Sequence, residues 1–537
     1  MNTQSSLLLW VLPPSLFLLV FFYIPLADVI WLAVSHPGGW IETIGNPLFL
    51  RFLYFTFVQA ILTTIGSALI GSVSGYLLAH GHPYAEKLIG SALTVPFLLP
   101  PLSILVGFVY FFEPAGLLSS LTPLKFDIFG NPWAIVLAHT LYNISVFAKI
   151  TASGFRNEPA DLHFIASVDG ASWGRRFRTI TIPHIIPMVL AASLITFLYA
   201  FNSFAIVLLL GEVRLQTLEV MIYTRTRLRF DFTSGAIIAL FQLMVNIIVV
   251  LLYLKISSKR KIHTEGGERL VYLVSQKQRI MATGFLLLVI ALTWFPILST
   301  FVKFMESYSN ASDIQKSQLI SGSYDSLLGT SPIRVLLNTV FFAFLTGVIG
   351  LLLTIFFILF LQRQRGEMGK NVVSFFTILP MATSGVTVGF SILALFGSSS
   401  LFSDLVWVFI LASHLMASLP FVVRSMLTAF DYIPQEMLYL SEMLGAGEIR
   451  TFRKIVYPQI RGALLVGFLF ATAISVGEFG STFYLSRGEW VTMSTAIGKL
   501  FNSRYTMLPL FFASLLSLVS LILFSLIEWI GDLDLKV

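Results

Sequence analysis

The chain contains no cysteine among its 537 residues. That excludes disulfides and thiolate metal sites. Charge is scarce as well: Asp, Glu, Lys and Arg make up 11% of the residues against 56% hydrophobic ones, and the mean hydropathy is +0.86. A soluble core cannot bury so much apolar surface with so few charges. Bilayer-spanning helices can, because lipid solvates the side chains and each helix satisfies its own backbone. No G-x4-G-K-[ST] phosphate loop is present. The nearest string, GEMGKN from Gly366 to Asn371, has the wrong spacing and ends in asparagine, so ATP is not bound through that motif. No H-x3-H or H-E-x2-H pair occurs, and no carboxylates, histidines or Ser/His pairs stand at catalytic spacing. A built-in metal site and a membrane enzyme therefore lack support. The net charge of +7 reflects basic loops of a membrane protein rather than a nucleic-acid partner.

What is abundant is long apolar segments. The expected fold is an all-α membrane protein of about twelve transmembrane helices. Spans are expected near 8–33, 53–79, 90–112, 133–153, 186–210 and 235–254, then near 280–302, 336–361, 373–396, 403–425, 463–486 and 508–530. The apolar start, Leu7 to Val34, is too long for a signal-peptide core and nothing basic precedes it, so it reads as the first permanent span. Pro100 and Pro380 are expected to kink the third span of each half, beside the matched strings Val106-Gly107-Phe108 and Val388-Gly389-Phe390. With both termini in the cytoplasm, 21 Lys+Arg fall inside and 12 outside, Lys149 lying within a span. The positive-inside rule favours that orientation, against which only the 211–234 loop, with Arg225, Arg227 and Arg229, runs. The external 304–334 segment, rich in serine, reads as a loop.

Two stretches 275 residues apart repeat one pattern: FIASVDGASWGRRFRTITIP from Phe164 and YLSEMLGAGEIRTFRKIVYP from Tyr439. Gly170, Ala171, Arg175, Phe177, Arg178, Ile180 and Pro183 recur in register as Gly445, Ala446, Arg450, Phe452, Arg453, Ile455 and Pro458, and His139 recurs as His414. A repeat this long means two homologous halves. We delimit them as 1–255 and 280–537, joined by a basic cytoplasmic linker, 256–279, with the repeated loops at 158–183 and 433–458. Each loop reads as a short helix, a glycine turn of positive φ, a second short basic helix and a proline opening the next span.

Polar residues inside spans are candidate functional groups. Glu478 with Phe479 stands where the first half has Ser203 and Phe204 beside Asn202. A carboxylate lining a path there suits a cationic solute; a structural carboxylate paired with Arg504 is the plainer reading. His139 and His414 read as hydrogen-bonded packing residues, and His80 and His82 as facing solvent or a partner.

The spacing Gly170, nine residues, Ile180, then Ile182-Pro183 resembles the EAA loop of ABC-importer permeases, E-A-A-x3-G-x9-I-x-L-P. The second copy runs from Gly445 to Ile455 and Pro458. Both depart from the pattern at the triplet, which is Phe164-Ile165-Ala166 and Tyr439-Leu440-Ser441. The resemblance implies a type I permease fold and coupling loops that seat on a cytoplasmic ATPase. The coupling residues it implies are Ala166, Gly170, Ala171, Arg175, Phe177, Ile180 and Pro183, with Ser441, Gly445, Ala446, Arg450, Phe452, Ile455 and Pro458. It implies a substrate path along Asn202, Ser203, Phe204, Glu478 and Phe479. It also implies two ATPase copies, an extracytoplasmic solute-binding protein, membrane lipid around the spans, and a bacterial inner-membrane location. The chain itself would be a non-enzymatic subunit binding no cofactor, with ATP and Mg on the ATPase. LAHTLYNISVFAK, SFAIVLLLG followed by TLEVMIYTR, and SVGEFGSTFYL are similar to the thiamine-transport type. Ferric iron, sulfate or phosphonate is the alternative cargo. A different class, the ion-driven secondary transporter, is expected to show a G-x3-D-R-x-G-R-R-like loop between spans two and three, where this chain has HGHPYAEKL.

Overall fold

The computed structural model describes residues 3–534 except 114–115, 122–125, 259–273, 323–326, 364–366, 502 and 504. The described residues form helices, turns and irregular segments and no strand. Among the described residues, eleven helices are long and apolar enough to cross a membrane, from Leu9–Val34 to Met507–Ile530. The missing twelfth is the 373–396 segment. It is split into Glu367–Ala382 and Gly385–Phe396, with Ser384 extended between them and its hydroxyl accepting from the Thr387 N–H. The corresponding first-half segment is split too, into Glu86–Leu98 and Pro101–Phe112. Expected kinks are therefore full breaks. At the first, consecutive Pro100 and Pro101 remove two N–H donors and force Leu99 into the extended region. At the second, Pro380 stays inside its helix, and the chain breaks three residues later, where Ser384 offers a cap.

The fifth span of each half is interrupted as well. Ile182–Phe201 is followed by Ala205–Leu210, and Tyr457–Gly477 by Gly480–Leu485. The 304–334 segment, expected to be a loop, holds a helix, Asp313–Ser321; Ser312 and Gln315 form a reciprocal capping box. The S-x-x-Q spacing of that box is the sequence signal. Most of the 256–279 linker, and Arg504, lie outside the described residues.

The molecule divides into two compact units, each drawn from both halves. One comprises Met1–Thr43, Ile222–Leu243 and Glu306–Val537; the other comprises Ile44–Met221 and Met244–Met305. Each unit thus holds the first span of the other half. In the first unit, Phe21 lies 6.1 Å from Phe409, and Trp10 Nε1 donates to Glu448 Oε2 at 3.3 Å. In the second, the helix Gln276–Ser309 receives the Tyr84 N–H on Thr283 at 3.0 Å. Its Trp294 donates to the Ala92 carbonyl at 2.8 Å, and its Ser299 to the Gly107 carbonyl at 2.6 Å. Gly107 permits that approach: a Cβ there would lie 1.6 Å from the Pro296 carbonyl oxygen.

Candidate functional site: two repeated loops and two helix breaks

The repeated loops have one backbone. The first runs Ala160–Val168, Trp173–Arg176 and a π-helical turn, Phe177–Thr181, that leads into the fifth span. The second runs Gln435–Met443, Glu448–Thr451 and a π-helical turn, Phe452–Val456, in the same register. Each first helix ends at a glycine in the left-handed region, Gly170 at φ +76° and Gly445 at φ +74°. The Ala171 N–H returns to the Ala166 carbonyl at 2.9 Å, and the Ala446 N–H to the Ser441 carbonyl at 3.0 Å. This is the six-to-one closure that a left-handed residue after a helix allows. Arg175 and Arg450 are exposed, while Phe177, Ile180, Phe452 and Ile455 are half-buried.

The outward face is apolar in both copies. Leu162, Phe164, Ile165 and Val168 are exposed, and so are Met437, Tyr439, Leu440 and Met443 at the same register positions. Phe164 is 70% and Met443 83% accessible. Phe164, Ile165, Tyr439 and Leu440 belong to the triplets that depart from the E-A-A pattern. The sequence reading gave weight to the conserved-looking spacing and missed these four pairs. Apolar residues repeated on one face of a short helix outside the spans were the available signal.

The buried undersides differ. Beneath the first loop the Glu158 carboxylate is enclosed. Its Oε2 lies 3.1 Å from His163 Nε2 and accepts from the Thr181 hydroxyl at 3.2 Å, and its Oε1 lies 3.9 Å from His80 Nε2. Arg176 donates to the His163 carbonyl at 3.5 Å. Burial pushes the His163 imidazole below its ordinary value, against the pull of Glu158, and Arg176 and His80 add to the lowering. His80, expected to face solvent or a partner, is instead 4% exposed, its ring 5.2 Å from Tyr76 and 5.8 Å from Phe155. The second loop has Ile433, Leu438 and Val456 at the positions of Glu158, His163 and Thr181, all buried. A polar pair there is Ser441 with Thr451, 2.7 Å apart.

The breaks in the fifth spans bring together the intramembrane polar residues. In the first half, His139 Nε2 is 2.6 Å from Ser203 Oγ, Thr217 donates to the Ser203 carbonyl at 2.8 Å, and Asn246 donates to Asn202 Oδ1 at 2.9 Å. In the second, Glu478 Oε1 accepts from the Ser481 N–H at 3.1 Å. Its Oε2 accepts from the Thr482 N–H at 3.1 Å and the Thr482 hydroxyl at 2.6 Å. His414 bridges Thr482 Oγ1 at 2.7 Å and Ser475 Oγ at 2.6 Å. Both histidines are hydrogen-bonded packing groups, as the sequence suggested. Glu478 answers the free N–H groups that open the helix Gly480–Leu485, which gives its charge a local structural use. Ser203, Phe204 and Phe479 are buried, and Asn202 and Glu478 partly so.

A family described as binding-protein-dependent transport system inner membrane component matches residues 67–262 and, a second time, 348–532. A thiamine transport system permease of Haemophilus influenzae is 21% identical over 501 residues, covering 90% of this chain and 89% of the relative. A thiamine transport system permease of Brucella abortus is 24% identical over 492 residues, covering 86% and 84%. A Salmonella typhimurium permease assigned to 2-aminoethylphosphonate transport is 27% identical over 261 residues, covering 46% of this chain and 91% of the relative.

Proposed function

Because the chain belongs to the family of binding-protein-dependent transport inner-membrane components, we propose that it carries both halves of an importer's membrane unit in one polypeptide, 1–255 and 280–537. The protein is the permease subunit of an ABC importer and a multi-pass inner-membrane protein. It works with an ATPase and a solute-binding protein. Two ATPase copies serve one chain, one on each coupling loop, and ATP and Mg²⁺ belong to them. Both termini and both loops lie in the cytoplasm.

The observation that carries this reading is the pair of loops with identical turns and an exposed apolar quartet in the same register. A short helix with an apolar outer face outside the spans fits a groove on a partner. Ala166, Gly170, Ala171, Arg175, Phe177, Ile180 and Pro183, and Ser441, Gly445, Ala446, Arg450, Phe452, Ile455 and Pro458, then hold the shape of the two plugs. The glycine turns and the π-helical turns set the angle at which each plug enters the fifth span. Movement of a docked plug thereby reaches the helix breaks at Asn202, Ser203 and Phe204 and at Glu478 and Phe479. We place the substrate path along these breaks, with Glu478 bracing one of them rather than standing as a free counter-charge.

The cargo we assign is thiamine, since the relatives alignable over most of the chain are thiamine permeases. The second reading, a phosphonate, is favoured by the half-length relatives. The test is copurification of the ATPase with the full chain. Phe164→Asp and Tyr439→Asp are each expected to remove one of two ATPase copies, and the double variant both. One ATPase per wild-type chain, or undiminished copurification by the double variant, would sink the reading.

A further inference from the structure

The basic residues of the 211–234 segment run against the charge bias that orients the rest of the chain. Arg225 is explained by its ion pair with Asp231, at 3.4 Å, and Arg229 is exposed. Arg227 is different. It stands in a π-helical turn, Thr224–Leu228, that packs on the short helix Gly480–Leu485 following the Glu478 break. The Tyr484 hydroxyl donates to Thr226 Oγ1 at 2.5 Å, and the Tyr223 ring is 5.6 Å from Phe483. The helix Met493–Leu500 meets the same short helix. A Cβ on Gly498 would lie 2.6 Å from the Phe479 ring and 3.3 Å from that of Phe483, and the next residue is Lys499. Arg487 stands two residues beyond the end of Gly480–Leu485, its guanidinium 5.0 Å from the Phe402 ring centre.

Three cations from three elements thus gather about one six-residue helix. Among the described residues, neither Arg227 nor Lys499 makes an ion pair or a hydrogen bond. The Ser486 hydroxyl beside Arg487 is buried and has no hydrogen-bond partner. Burial first, and then the charge of Arg227, pushes both the Lys499 ammonium and the Arg487 guanidinium below their ordinary values. Arg227 and Lys499 are half-buried and Arg487 is exposed; cations partly withdrawn from water without a counter-charge are costly, and a bound anion relieves that cost. π-Helical turns are also frequent at functional sites.

We propose that Arg227, Arg487 and Lys499, with the Ser486 hydroxyl, form a binding site for the phosphate or phosphonate group of the cargo. Guanidinium forks suit the paired oxygens of a tetrahedral oxyanion, and the ammonium adds a compact charge. The site rests on the importer reading but not on thiamine as cargo. A solute with only positive charge is repelled here, so the site belongs to the second cargo reading, a phosphonate, which it adds to the thiamine assignment rather than replacing it.

The experiment uses the full permease–ATPase complex in lipid nanodiscs, followed by its thermal melt in 2-aminoethylphosphonate, inorganic sulfate or thiamine. 2-Aminoethylphosphonate is expected to raise the melting temperature, sulfate to do so more weakly, and thiamine not at all. Arg227→Gln and Lys499→Gln are each expected to raise the half-maximal phosphonate concentration about tenfold. Arg227→Lys and Lys499→Arg are expected to keep most of the affinity. Arg229→Gln, which removes one charge from the same segment, is expected to change it less than about twofold. The proposal is overturned if phosphonate leaves the wild-type melt unchanged, if thiamine matches phosphonate, or if Arg229→Gln loses as much as Arg227→Gln. ATP hydrolysis by the same preparation separates the two failures. Hydrolysis without a phosphonate shift removes only the anion site, whereas a chain that holds no ATPase removes the importer reading beneath it.

Discussion

The first and second repeated loops share a backbone turn for turn, yet one is fastened by a buried carboxylate and the other by hydrocarbon. Above the loops, Leu162, Phe164, Ile165 and Val168 match Met437, Tyr439, Leu440 and Met443. Below them, Glu158, His163 and Thr181 stand where Ile433, Leu438 and Val456 stand. The difference separates two demands. The turn has one shape in both loops, and Gly170 and Gly445 provide it through positive φ. The underside need only hold that shape. A buried carboxylate–histidine cluster and a packed apolar one both do so, since hydrocarbon of the same volume is often as stabilising as buried polar or charged groups.

The largest effect is expected from crossing the two undersides. Ile433→Glu puts a carboxylate beneath the second loop with no histidine or threonine to meet it. A loss of about 3–5 kcal/mol is expected, the range for an uncompensated buried charge. The measurement is the protease sensitivity of 433–458 together with ATPase copurification. Adding Leu438→His and Val456→Thr rebuilds the first loop's cluster and should restore most of the loss. A triple variant no better than the single one would show that the two undersides are not interchangeable.

The next effect concerns the other pair of unequal positions, Glu478 and Ser203. Glu478→Gln keeps the size but turns an amine toward donors that now point at a carboxylate. Hydrogen bonds to a charged acceptor contribute about 1.5–3 kcal/mol, so uptake is expected to fall roughly tenfold to a hundredfold. Ser203→Ala, which removes one contact to His139, should cost less, about 1 kcal/mol. Equal losses at the two sites would make the carboxylate unremarkable in that break.

The glycine turns should respond alike. A Cβ at Gly170 or Gly445 meets nothing within 4 Å, so Val at either position acts through backbone strain alone, about 1–2 kcal/mol. Reduced ATPase stimulation at normal membrane abundance is expected in both variants. A large defect in one and none in the other would mean that only one loop couples.

The smallest effect is a pH dependence confined to the first loop. His163 has its folded value depressed, so the packed loop binds fewer protons than a released one. Its stability is complete above the ordinary histidine value of about 6.5 and is lost as pH falls through the window beneath it. Hydrogen exchange across 158–183 should therefore quicken below that pH while exchange across 433–458 stays level. His163→Leu should abolish the difference. Parallel acceleration in both loops would assign the effect elsewhere, for example to the membrane or the ATPase.

Much of the architecture was legible in the chain. Apolar runs named the spans because the bilayer admits few other structures, and the repeat named the loops because Gly, Ile and Pro each restrict the backbone locally. Helix breaks were less legible. Pro100-Pro101 announces one, and Glu478 caps the N–H groups of Ser481 and Thr482 only three and four residues on, but the Asn246 contact to Asn202 and the His414 contact to Thr482 come from segments distant in sequence. His80 could not be read as buried, because its cover comes from Phe155 and the carboxylate beside it is Glu158, both in another segment.

What the amino-acid sequence determined by itself was therefore the list of spans, the two-fold repetition and the left-handed turns, all of which follow from hydropathy and from conformational limits acting over a few residues. What only the tertiary structure decided was which segments share a compact unit, so that the first span of each half packs with the body of the other. It also decided where the polar groups lie: Glu158 between two histidines, Glu478 at a helix start, and half-buried Arg227 near Lys499 with, among the described residues, no ion pair to either. Such pairings depend on long-range packing and on desolvation, and no local spacing encodes either one.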